Sequence, residues 1–132
     1  MHSFNVKVYY EDTDLAGIVY YANYLKFIER ARSEAVADAG IDQLTMQSEH
    51  GIVFVVRHLE AEFLQSAKFG DLLEIRTDIT EMSGARIVMR QQISHETKGI
   101  FAANVTLAVM STTGRAVRLP ADIRQKLQHL VS

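Results

Sequence analysis

Apolar and polar residues alternate at the start of the chain: Phe4, Val6, Val8 and Tyr10 fall on one side, Asn5, Lys7 and Tyr9 on the other. A period of two marks a half-buried strand and predicts one over residues 4–10. The period then changes. Leu25, Ile28, Ala31, Ala35 and Ala39 recur at steps of three and four, and Gly40 stands where a helix ends. Asn23 is placed to cap this helix, although Lys26 at the third helical position rules out a capping box. The stripe is rich in alanine, so the helix can lie close against a sheet. Arg30 and Glu34 are spaced for an i,i+4 pair on its outer side, worth roughly a few tenths of a kcal/mol.

Residues 42–50 read as a short second helix, capped by Asp42 and stopped by Gly51. Four alternating runs follow. Leu59, Ala61 and Phe63 oppose His58, Glu60 and Glu62; after Gly70-Asp71, Leu73, Ile75, Thr77 and Ile79 oppose Glu74, Arg76 and Asp78. Ser83-Gly84 precedes Ile87, Met89, Gln91 and Ile93. Lys98-Gly99 precedes Phe101, Ala103, Val105, Leu107 and Val109, and Thr113-Gly114 ends the run. Turn dipeptides between successive strands make the sheet largely antiparallel. Pro120 introduces a terminal helix whose apolar side is Ile123, Leu127, Leu130 and Val131. The order predicts an α+β fold, a curved antiparallel sheet of about five strands around one long helix. No repeat or boundary divides the chain, so residues 1–132 read as a single domain.

Composition narrows the function. The 132 residues are 48% hydrophobic and 23% charged, with one proline and a formal net charge of -2. That balance gives no electrostatic reason to bind nucleic acid or an anionic membrane. There is no cysteine, which excludes disulfides, thiolate catalysis and Cys-type zinc sites. No signal region and no apolar run approaching a membrane span is found, so a cytoplasmic protein with no transmembrane segment is expected. The five histidines share no metal-ligand spacing with a carboxylate, and no metal site is expected.

The chemistry gathers in Tyr10-Glu-Asp-Thr-Asp-Leu-Ala-Gly-Ile-Val-Tyr-Tyr-Ala-Asn-Tyr, an acidic loop running through Gly17 into the long helix. Most aspartates in such loops only cap a turn. Here Gly17 allows close backbone approach, and the helix start supplies oriented N–H donors. A carboxylate there can attack a thioester carbonyl directly or take a proton from the attacking water. Tyr20, Tyr21 and Tyr24 read first as packing aromatics, and His58 as a solvated or interface residue. Arg86 and Arg90 share a strand face, and Arg115 and Arg118 flank the last turn; solvated charge and phosphate binding both fit them. No phosphate loop, serine nucleophile elbow or zinc-protease motif is present.

That segment resembles the hotdog-fold acyl-CoA thioesterases of the 4-hydroxybenzoyl-CoA thioesterase family, and most closely their YbgC branch, which is associated with the Tol–Pal cell-envelope system. Phe54-Val55-Val56-Arg57, Ala67-Lys68-Phe69-Gly70-Asp71 and Arg118-Leu119-Pro120 extend the resemblance over nearly the whole chain. It implies a hotdog fold and cofactor-free hydrolysis of an acyl-CoA thioester. Asp14 matches the family's catalytic aspartate, and the backbone N–H of Tyr21 the group that polarises the carbonyl. Gly17, Ile18, Val19, Tyr20 and Asn23 then line the substrate. Sheets pairing edge to edge imply a homodimer, or a homotetramer built from it. Many YbgC-type members carry histidine where this chain has Tyr21, so the backbone role is the one carried over. Of the basic cluster near the Ser83-Gly84-Ala85-Arg86 turn, only Arg86 remains to meet the CoA phosphates.

Two rival readings belong to other classes. A dehydratase of hydroxyacyl thioesters needs a histidine beside the long helix, and none lies between His2 and His50. A non-catalytic module that binds acyl thioesters or an acyl carrier protein predicts affinity without turnover.

Overall fold

The computed structural model describes Met1 to Ser132. Five strands form one antiparallel sheet: β1 (His2–Lys7), β2 (Ile52–Phe63), β3 (Leu72–Met82), β4 (Arg86–His95) and β5 (Lys98–Ser111), in the order β1-β3-β4-β5-β2. Helix α1 (Asn23–Asp38) packs across its inner face, α2 (Gln43–His50) follows, and α3 (Ala121–Leu127) closes the chain with a 3-10 turn at Gln128–Leu130. The α+β arrangement of one long helix against a five-stranded antiparallel sheet is the one the periodicity predicts.

Alternation decides which side of each strand meets the helix. Ile75, Thr77 and Ile79, then Ile87, Met89, Gln91 and Ile93, then Phe101, Ala103, Val105 and Leu107 all point inward and are buried. From α1 they meet Tyr24, Phe27, Ile28, Ala31, Ala35 and Val36. Ala31 and Ala35 are completely buried, which lets the helix axis approach the sheet. Leu25, expected in this stripe, is partly exposed, because Tyr24 and Phe27 take the inner positions in the first turn.

Four other expectations are corrected. β1 ends at Lys7, and Tyr10 lies in a single 3-10 turn with 83% of its surface exposed. Asn23 does not cap α1; Ala22 holds that place without a side-chain bond, because the Asn23 amide is spent on the Asp12 carbonyl at 2.9 Å. The tight turn before β5 is made by Glu96 and Thr97, both at positive φ, ahead of Lys98-Gly99. Arg30 and Glu34 form no ion pair. At α2 the reading holds: the Asp42 side chain accepts from Leu44 and Thr45, and Gly51 ends the helix at φ +65°.

β2 is an edge strand with one irregularity. Val56 pairs with Leu107 and His58 with Thr106, leaving Arg57 unmatched as a bulge. Beyond it Leu59, Ala61 and Phe63 sit opposite Val105, Ala103 and Phe101 and so share their inward face. Their burial is very different. The β5 residues are sealed, whereas Val56, Leu59 and Phe63 remain 47%, 37% and 52% exposed.

Candidate active site

Asp14 sits on a loop built by its own hydrogen bonds. Its N–H donates to the Ile18 carbonyl (2.8 Å), and its carbonyl accepts the Gly17 N–H (3.0 Å). Gly17 closes this turn at φ +80°, a conformation costly for any residue with a Cβ. The carboxylate is held within it: Oδ1 accepts the N–H of Ala16 (2.9 Å) and, at greater length, of Ile18 (3.4 Å). Oδ2 has no protein partner and is not sealed in. One oxygen positions the group, and the other is left open.

The same loop folds back on the start of α1. Thr13 bridges Val19, the Tyr20 N–H donates to the Asp12 carbonyl (2.9 Å), and Asn23 donates to that carbonyl too. Between these anchors, the N–H of Tyr21 and of Ala22 finds no acceptor in the protein. Two free donors just ahead of a sixteen-residue helix make an anion-favouring end. The charge of Asp14 is felt in the first turn of α1, at Tyr24. Burial pushes the Tyr24 phenol above its ordinary range; the Ala67 N–H it accepts opposes this, and the charges of Asp71 and Asp14 push it further up.

Tyr24 is the residue sequence reasoning undervalued. It is 3% exposed, lies face to face with Phe101 at 5.3 Å, and its hydroxyl oxygen accepts the Ala67 N–H. Ala67 in turn accepts the Val19 N–H at 2.8 Å, and Lys68 bridges Ile18. Segment 67–68 thus clamps the Asp14 loop to α1. The sequence signals the aromatic ring but not the residue its hydroxyl meets.

The remaining expected residues divide. Gly17 and Tyr20 are exposed beside Asp14, Ile18 is half-buried there, and the Tyr20 and Tyr21 rings lie 5.0 Å apart. Val19 packs into the core, and the Asn23 amide nitrogen is occupied by Asp12, so both serve the loop's shape. Arg86 stands apart, at the start of β4, 3.9 Å from Glu81. It shares a cleft of about 550 Å³ with Arg57 and His58 of β2. Arg57 stands at the bulge of β2 beside His58, and no sequence pattern announces that irregularity. His95 lies 3.7 Å from Asp71.

Comparison with known proteins agrees with this architecture. The Thioesterase superfamily model matches residues 16–102. An acyl-CoA thioesterase YbgC from Haemophilus influenzae is 37% identical over 129 residues, covering 97% of this chain and 95% of that one. A probable thioesterase from Bartonella henselae superposes with a TM-score of 0.87 at 41% identity, over 90% of this chain and 98% of its own. The 4-hydroxybenzoyl CoA thioesterase of Pseudomonas sp. strain CBS-3 gives a TM-score of 0.88 at 26% identity, over 96% and 99%. The chain belongs to the thioesterase superfamily and has its hotdog fold. It is a thioester hydrolase.

Proposed function

We propose that this hydrolase cuts acyl-CoA thioesters, with Asp14 as the reacting carboxylate and the Tyr21 N–H as the oxyanion donor. One observation carries the reading: a carboxylate with one oxygen pinned by backbone and the other free, on a loop that ends at two unpaired N–H groups. The acyl-CoA class is that of the Haemophilus relative. Attack on the carbonyl carbon moves the C=O electron pair onto oxygen, where the Tyr21 N–H stabilises it in the transition state. Collapse restores the carbonyl and breaks the C–S bond, the pair leaving on sulfur. With Asp14 as base, the carboxylate takes the proton of the attacking water and delivers it to the thiolate. With Asp14 as nucleophile, an acyl anhydride forms and a water cleaves it in a second step.

The free CoA thiol is one product and the carboxylic acid the other. Arg86 and Arg57 supply positive charge for the CoA phosphates, and His58 lines the same cleft. β2 completes the assembly: its outer backbone edge is unpaired over twelve residues and carries exposed Val55, Val56, Leu59 and Phe63. A second copy, paired antiparallel along β2, satisfies that edge and covers the bare inner-facing residues.

Thiol release from a panel of acyl- and aroyl-CoA thioesters tests the reading. Asp14→Asn is expected to lower kcat by about 10²–10⁴-fold with the fold retained. Full turnover by this variant overturns the assignment, and binding without turnover in the parent returns the binding-module reading. Rapid quench separates the two routes, since only the nucleophilic one leaves acyl label on Asp14.

A further inference from the structure

A cationic group is set into the seam between α1 and β2, away from the Asp14 loop. Arg32 lies on the inner flank of α1 and is half-buried. Its Nη1 donates to Oε1 of Gln91 at 3.0 Å, and Gln91 is wholly buried, with its amide nitrogen bonded to the Ile28 carbonyl and the Thr77 hydroxyl. This network fixes where the guanidinium points. It does not neutralise the charge, because no carboxylate lies within ion-pair distance of Arg32. Its other nitrogens are not sealed away; His2 Nδ1 alone is a buried side-chain atom without a partner.

Those donors border a cavity of about 230 Å³, whose walls include Phe54, Val56 and Leu107, with Glu29 and Ser33 on the helix side. The cavity continues a line of apolar residues. At the helix start the Tyr21 ring meets Phe63 edge-on at 6.0 Å, and from there Leu59, Val56 and Phe54 follow along the inner side of β2. Arg32 is nine residues into α1 from Asn23, about 14 Å of helix axis at 1.5 Å per residue. A carbonyl held at the Tyr21 N–H therefore has apolar side chains along the β2 side of the seam, Glu29 on the helix side, and the Arg32 guanidinium at the far end.

We infer that the seam between α1 and β2 is the acyl channel and that Arg32 recognises a carboxylate at the far end of the acyl chain, so that the substrate class is medium-chain acyl-CoA with an acidic terminus. This rests on the Asp14 reading for the position of the reacting carbonyl. A planar guanidinium with its fork partly free suits a carboxylate, and a desolvated cation without a counterion gains most from receiving one. Desolvation already lowers the Arg32 pKa, opposed only by the more distant charge of Glu29. An acyl chain ending in a methyl group leaves that charge uncompensated.

The test compares decanoyl-CoA with sebacoyl-CoA, equal in length and differing at the terminus. The parent is expected to favour sebacoyl-CoA by at least about tenfold in kcat/KM, one charge-assisted contact's worth of discrimination. Arg32→Gln brings the ratio near one, and Arg32→Lys keeps part of it. Should Arg32→Gln fail to fold, Ser33→Asp, at an exposed position that borders the same cavity, offers the guanidinium a competing carboxylate and lowers the ratio without disturbing Gln91. Equilibrium binding of the uncleavable thioether analogues reads the same preference without turnover. Absent hydrolysis with retained sebacyl preference in binding faults the Asp14 reading alone. Equal or reversed preference in the parent, or a ratio indifferent to both substitutions, overturns the channel assignment.

Discussion

The hydroxyl of Tyr24 accepts the backbone N–H of Ala67 at 3.1 Å, across forty-three positions of sequence, and so joins the first turn of α1 to the segment that clamps the Asp14 loop. Tyr24→Phe keeps the stack on Phe101 and strands one buried N–H. The expected cost is about 1–3 kcal/mol of stability, read by denaturant unfolding. A fall in kcat exceeding any change in KM, at a temperature where the variant is fully folded, marks its effect on the loop.

The same phenol gives the protein an alkaline signature. Its folded pKa is raised, so the unfolded chain ionises first, and the contribution is fully present below the ordinary value of about 10. It is lost as pH rises from there through the folded value. Spectrophotometric titration should show one of the five tyrosines ionising after the rest, and Tyr24→Phe should remove that step.

Gln91 is the polar centre of the helix–sheet layer, bonded to Arg32, Thr77 and the Ile28 carbonyl. Gln91→Leu leaves the Thr77 hydroxyl and Arg32 without their partner. Destabilisation of about 1–3 kcal/mol is expected, and a midpoint equal to the parent's in chemical unfolding contradicts it.

How much of this was legible follows from which interactions are local. Helix α2 was readable because its cap and its stop lie within its own ten residues, at Asp42 and Gly51. The inward face of β3, β4 and β5 was readable because alternation reports it directly. Asn23 misled because its side chain meets Asp12, eleven residues back, instead of its own helix. Tyr24 and Ala67, and Arg57 with Arg86, are pairings between distant segments, set by tertiary packing that no spacing encodes. Asp14 is singled out by its place in the family motif, three residues before Gly17, and spacing alone does not separate it from Glu11 and Asp12.

The basic cleft makes a kinetic prediction. Arg86 is exposed and only loosely paired with Glu81, so Arg86→Ala should raise KM for a CoA thioester roughly fivefold, as befits about 1 kcal/mol from an exposed charge. kcat should be unchanged, and the matching pantetheine thioester, which lacks the nucleotide phosphates, should show no shift. A shift of equal size with pantetheine assigns Arg86 a role other than phosphate contact.

Leu59→Lys tests the pairing of two copies. A charge midway along β2 should yield a monomer by sedimentation equilibrium, with circular dichroism unchanged and turnover reduced.

The half-covered strand has a consequence for how such a chain can change. Val56 is at once a wall of the Arg32 cavity and part of the bare apolar edge of β2. A polar replacement there makes an isolated chain less adhesive and in the same stroke redraws the wall against which substrates are chosen. Solubility and selectivity share side chains, so neither can be altered here without a compensating change in the other.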